Sequence, residues 1–92
     1  MADALTRTIR VVNGRGLHAR AAAKFVKCAT GFNAEVRVSK DGQTVSGSSI
    51  MGLMMLAASK GTTIDVAVSG QEGDAALDAL VALVESGFGE KD

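Results

Sequence analysis

Residues 34–47, AEVRVSKDGQTVSG, decide the fold. Ala34, Val36 and Val38 alternate with Glu35, Arg37 and Ser39, the period of a strand that buries one face and wets the other. Asp41–Gly42 is a strong two-residue hairpin signal, and QTVSG returns the chain alongside. A hairpin with one apolar face needs a cover on that face, so its flanks set the architecture.

On the N-terminal side, from His18 to about Thr30, Ala22, Phe25, Val26 and Ala29 recur at i, i+3, i+4 and i+7, the stripe of an amphipathic helix with Gly31 as its stop. Before it lies TRTIRVVN (6–13), β-branched, with Ile9 and Val11 on one face, a strand closed by the GRG segment. On the other side, SIMGLMMLAA (49–58) predicts a short apolar helix ended by Lys60–Gly61, with Leu53, Leu56 and Ala57 toward the core. TTIDVAVSG (62–70) alternates through Ile64, Val66 and Val68 as a further strand. From about Gln71 to Glu85 the longest helix sets Leu77, Leu80 and Val84 on one face, with Ala76 and Leu83 flanking. The order β-α-β-β-α-β-α predicts a two-layer α+β unit, one domain over residues 1–92, its sheet covered on one side and wet on the other.

Composition narrows the function classes. Ten basic residues balance ten acidic ones, so no global field draws the chain to nucleic acid or an anionic membrane, and recognition by charge must be local. Three Phe with no Trp or Tyr argue against a base-stacking surface. No apolar run approaches the ~20 residues of a membrane span, and MADALTRTIR lacks the layout of a secretory signal. One histidine and one cysteine make a zinc site of the usual ligand set implausible, and neither a metal nor another cofactor is expected. Cys28, on the border of the first helix's stripe, is expected to be a small packing residue.

The only histidine, His18, stands between a glycine-rich turn and the alanine-rich helix. If it is the N-cap, the amides of Ala19, Arg20 and Ala21 have no helical partner, and the macrodipole adds roughly half a positive charge there. Such a helix start stabilises an anion, phosphate above all. The backbone at Gly16, Ala19 and Arg20 is expected to line that anion, and the Arg20 guanidinium offers a planar fork of donors. Gly14 and Gly16 let the turn approach closely. An imidazole lone pair inside such a pocket suits reversible phosphorylation on nitrogen. No second acid or base is evident beside it, which disfavours an independent enzyme. A lone histidine near a helix start is usually an ordinary surface residue; here the glycines, Arg20 and the open helix end all serve one anion.

GLHARAAAKFV (16–26) resembles the active-site signature of HPr, the histidine-containing phosphocarriers of the phosphoenolpyruvate-dependent phosphotransferase system. SSIMGLMMLAASKG (48–61) resembles that family's second hallmark, around a regulatory serine, and the likeness covers essentially the whole chain. It implies an open-faced sandwich, four antiparallel strands with three helices on one face. It also implies that His18 takes a phosphoryl group on Nδ1 from Enzyme I and passes it to an enzyme IIA component, with Arg20 beside it, for sugar uptake or metabolic regulation. The family's usual pattern has proline three residues after the histidine, where this chain has Ala21. Proline is tolerated in a first helical turn, so alanine should keep the geometry and add one amide donor.

Two surfaces are candidates for docking. Arg20, Lys24 and Lys27, at i, i+4 and i+7, line the first helix away from its stripe. Such a row is ordinarily a solvated face, but beside a phosphoryl site it suits acidic partners. On the short helix, Met51, Met54 and Met55 are expected outward with Ile50 at the border, either as an adaptable partner surface or filling gaps under neighbouring loops. Ser49 is the N-cap of that helix on its own chemistry. By the resemblance it is also the serine that an HPr kinase/phosphorylase would modify. A regulatory binding protein controlled at Ser49 is therefore the alternative to a carrier. A single cysteine, Cys28, leaves no internal disulfide, which fits a reducing cytoplasm, and a monomer without membrane insertion is expected.

Overall fold

The computed structural model describes residues 5–90; the expected domain span and signal-free N-terminus extend over residues 1–4 and 91–92, which lie outside the described residues. The elements run β1 (Leu5–Arg10), α1 (Ala19–Thr30), β2 (Glu35–Lys40), β3 (Gln43–Ser46), α2 (Ile50–Met55), β4 (Thr63–Ser69) and α3 (Gly73–Glu85). A short 3₁₀ turn, Gly87–Gly89, follows. The strands form one antiparallel sheet in the order β1-β4-β2-β3. This is the expected two-layer α+β architecture.

Register explains the two faces. Ile9 pairs with Ile64, Val38 with Val66 and Val36 with Val68, and all six are buried. The alternate positions carry polar groups, such as Thr8, whose hydroxyl donates to Asp65 at 2.6 Å. The β2–β3 turn forms at the expected dipeptide, with positive φ at both Asp41 (50°) and Gly42 (82°), the mirror-image turn whose twist matches a hairpin. Phe25 of α1, Leu53 of α2 and Leu80 and Val84 of α3 join the sheet's apolar face in one core. Among the described residues, no helix is long and apolar enough to cross a membrane.

Several boundaries differ from expectation, each for a local reason. β1 stops at Arg10, although Val11 still exchanges backbone bonds with Thr62 and Gly61, because Asn13 turns inward and is buried. The stripe of α1 is rotated: Ala21 is buried with Ala22, Phe25 and Ala29, while Val26 is only half-buried. Gly31 caps α1 with an ordinary right-handed backbone, φ −77°. α2 is shorter than residues 49–58, since Leu56 is its C-cap and Ala57 takes φ 52°. That left-handed residue, a strain of ~1–3 kcal/mol, exposes Ala57 and buries Ala58 in the core position expected for Ala57. α3 starts at Gly73 rather than Gln71, because Glu72 and Gln71 hold Asn33, at 2.6 Å from Glu72 Oε1 to the Asn33 amide and 2.9 Å between side chains. Its buried face also includes Val81.

Candidate functional site

The loop before α1 is built by close packing. Gly16 has φ +62°, and a Cβ there would lie 2.3 Å from the Ala58 carbonyl oxygen, so only glycine fits. The next amide, Leu17, donates to that same Ala58 oxygen at 2.9 Å. The left-handed Ala57 thus turns the loop after α2 into a brace under the loop before α1. Asn13 locks it from inside, its Nδ2 donating to the Gly16 carbonyl at 2.8 Å.

His18 is the N-cap of α1, extended at φ −74°, ψ 177°, and its side chain makes no capping bond. Its carbonyl receives the first helical bond, from Ala22 at 2.8 Å. The amides of Ala19, Arg20 and Ala21 make no hydrogen bond to any described residue. The helix start is therefore open, as the sequence suggested. One expected member is different: the Gly16 amide already donates to Asn13 at 3.1 Å, so Gly16 shapes the turn while its N–H is turned inward and paired.

Glu90 stands beside His18, and nothing in the local sequence announces it. Its Oε2 meets the His18 Nε2, and its Oε1 accepts from Asn13 Nδ2 at 3.0 Å. Both side chains are largely sheltered, His18 18% and Glu90 14% exposed. The hydrogen bonds from Asn13 and then His18 hold the Glu90 carboxyl below the usual carboxylate range, helped by the nearby charges of His18 and Lys24 and opposed by desolvation. An ionised carboxylate only accepts, so Nε2 donates, and in the neutral form of the ring Nδ1 is then the lone-pair nitrogen. Nδ1 has no partner among the described residues. The expectation that no second acid or base accompanies the histidine is thereby corrected. The missing signal was tertiary: 72 residues separate the pair.

The cations are unequally placed. Arg20 is exposed and makes no hydrogen bond or ion pair to the described residues, so its guanidinium is free to reach an anion at the helix start. Lys27 is exposed in the last turn of α1. Lys24 donates to the Phe88 carbonyl at 2.7 Å, which draws it out of a simple docking row. Cys28 is half-buried against the core, and desolvation pushes its thiol up.

At α2, which packs against α1, Ser49 caps the helix: its Oγ accepts from the Gly52 amide at 2.9 Å. Met51 is 70% and Met55 67% exposed, with Ile50 and Met54 also outward, while Leu53 and Leu56 enter the core. The methionines therefore form a surface and do not fill gaps.

Comparison with known proteins gives these features a context. A family model described as "PTS HPr component phosphorylation site" matches residues 5–86. The phosphocarrier protein HPr of Neisseria meningitidis is 48% identical over 86 residues, covering 94% of this chain and 97% of its own. The phosphocarrier protein NPr of Shewanella violacea is 43% identical over 86 residues, covering 94% of each. Among solved structures, HPr-C-His from Thermoanaerobacter tengcongensis superposes with a TM-score of 0.91 at 42% identity, covering 96% of this chain and 99% of that one.

Proposed function

The chain belongs to the HPr family, the phosphocarriers of the phosphotransferase system, and from that premise we propose that His18 is the carrying residue, loaded by Enzyme I and unloaded by an enzyme IIA component. The observation that supports this most is the uncapped start of α1, where the amides of Ala19, Arg20 and Ala21, the Arg20 guanidinium and the His18 Nδ1 have no partner among the described residues. In the loading step the Nδ1 lone pair attacks phosphorus and the Nδ1–P bond forms. The bond from phosphorus to its donor breaks, and its electron pair leaves with the donor. The amides of Ala19, Arg20 and Ala21 and the Arg20 guanidinium oppose the charge on the phosphoryl oxygens as they move. The reverse step delivers the group to the next acceptor, so a site that binds the phosphoryl without burying it serves both directions.

Docking follows from the same placement. Arg20 and Lys27 on α1, with Lys24 at their border, offer positive charge to acidic partner surfaces. Ile50, Met51 and Met54 of α2 offer adaptable apolar contact beside it.

Incubation with phosphoenolpyruvate and Enzyme I tests the assignment. The expected product is an acid-labile, base-stable label on His18. His18→Ala should accept none and still fold, since the imidazole makes no capping bond and its loss leaves helix α1 intact. Label taken up by a folded His18→Ala protein would place the acceptor elsewhere.

A further inference from the structure

The segment after α3 is shaped to return to the histidine. Past Glu85 the chain makes its 3₁₀ turn, and Phe88 is buried in the core although its backbone is left-handed at φ 57°. Lys24 of α1 grips the Phe88 carbonyl from outside. With the turn fixed on both sides, Glu90 leaves it in extended conformation, φ −80° and ψ 144°, and its carboxylate meets His18. Asn13, only 1% exposed and tied to Gly16, donates to the other carboxylate oxygen. Three separate parts of the chain thus aim one carboxylate at one ring nitrogen.

We propose that Glu90 is a positioning residue for phosphoryl transfer, holding the Nε2–H of His18 so that the imidazole presents its Nδ1 lone pair to the incoming phosphorus. This rests on His18 being the acceptor. A neutral imidazole has one N–H and one lone pair, and the hydrogen bond made by one nitrogen decides which is which. With Nε2–H donating to Glu90, the ring is held in the tautomer whose nucleophile is Nδ1. As the Nδ1–P bond forms, the ring acquires positive charge and Nε2 keeps its proton. The carboxylate beside it opposes that charge without itself taking the proton, the part that an aspartate plays behind the histidine of a hydrolase triad. Asn13 keeps the carboxylate from rotating away, and Phe88 keeps the segment from leaving.

The experiment has two arms, run on wild type, Glu90→Ala and Glu90→Gln. In the first, ¹⁵N NMR of the histidine-labelled, unphosphorylated protein reads the tautomer. Wild type should show a protonated-type Nε2 and a bare-type Nδ1, whereas in Glu90→Ala the two resonances should move toward each other. In the second, the rate of labelling by Enzyme I and phosphoenolpyruvate should fall about 10- to 100-fold in Glu90→Ala, the order seen when the partner that orients a metal-bound histidine is removed. Glu90→Gln retains an acceptor oxygen without the charge, so it should keep the wild-type tautomer and transfer at an intermediate rate. Wild-type resonances or a wild-type rate in folded Glu90→Ala would overturn the role of Glu90. An unlabelled His18 in wild type would instead overturn the carrier assignment, and the two failures are distinguishable because the tautomer is measured without any phosphoryl donor.

Discussion

Helices α1 and α2 begin in opposite ways. Ser49 closes the start of α2, its hydroxyl taking the Gly52 amide. His18 leaves the start of α1 open, with its side chain turned away to Glu90 and three amides without partners among the described residues. A serine cap in place of His18 would add ~1 kcal/mol to helix stability. The open end forgoes that contribution, and on the proposed function its amides, dipole and guanidinium serve a phosphoryl group that comes and goes. The closed end supports a short helix whose outward side chains are apolar. Under the function proposed above, one helix start serves chemistry and the other holds a surface.

The largest effect that sharpens this contrast is Arg20→Ala. The guanidinium has no partner among the described residues, so the melting temperature should stay within a degree or two of wild type. Phosphoryl transfer should slow by about 10²-fold, the order expected when one donor to a charge-bearing oxygen is removed. Rapid-quench kinetics with Enzyme I check it. A wild-type rate would mean that the amides of α1 suffice without the side chain.

A smaller effect tests the closed end. Ser49→Ala removes the bond to Gly52 and should cost ~1 kcal/mol in chemical denaturation while leaving transfer near normal. Aspartate caps as well as serine, and its charge suits a helix start, so Ser49→Asp should melt at or slightly above wild type. The added carboxylate would sit beside the exposed Ile50 and Met51, on the surface proposed above for docking. Desolvating it without a cation costs several kcal/mol. Titration calorimetry with Enzyme I should therefore show weaker binding for Ser49→Asp and unchanged binding for Ser49→Ala. Equal affinities would separate the methionine surface from docking.

Both helix starts were legible in the sequence because their signals are local. His18 follows a glycine turn and precedes an apolar stripe; Ser49 precedes another. Alternation at Val36–Val38 and Ile64–Val68 revealed the sheet's apolar face, and Asp41–Gly42 its turn. What stayed hidden depends on chain segments meeting. Ala57 has no turn-forming side chain, and its left-handed backbone is imposed by the need to bring the Ala58 carbonyl to Leu17. The Gly16 amide is taken by the Asn13 carbonyl, and no local signal announces that bond. Phe88 between two glycines hints at an apolar anchor past the last helix, but the hint does not say that Glu90 then reaches His18.

The smallest effect concerns acid. The start of α1 carries a titrating partner, Glu90, whereas the start of α2 carries only a hydroxyl. Hydrogen bonds from Asn13 and His18 lower the Glu90 value in the folded protein. A lowered value means that folding favours the ionised form. Its contribution to pinning the segment after α3 is therefore complete above the ordinary carboxylate range, and it is lost as pH falls through the depressed folded value. NMR of the Glu90 side-chain carboxyl should show a midpoint below that of a free glutamate. In His18→Ala the midpoint should rise, yet stay below the free value, because the larger cause, the Asn13 bond, remains. Over the same acid range the Gly52 amide at the start of α2 should keep its protection from exchange, since no titrating group holds it. A Glu90 midpoint at the free value would mean that the carboxylate is not held against His18 in solution, and the contrast between the two helix starts would reduce to their caps.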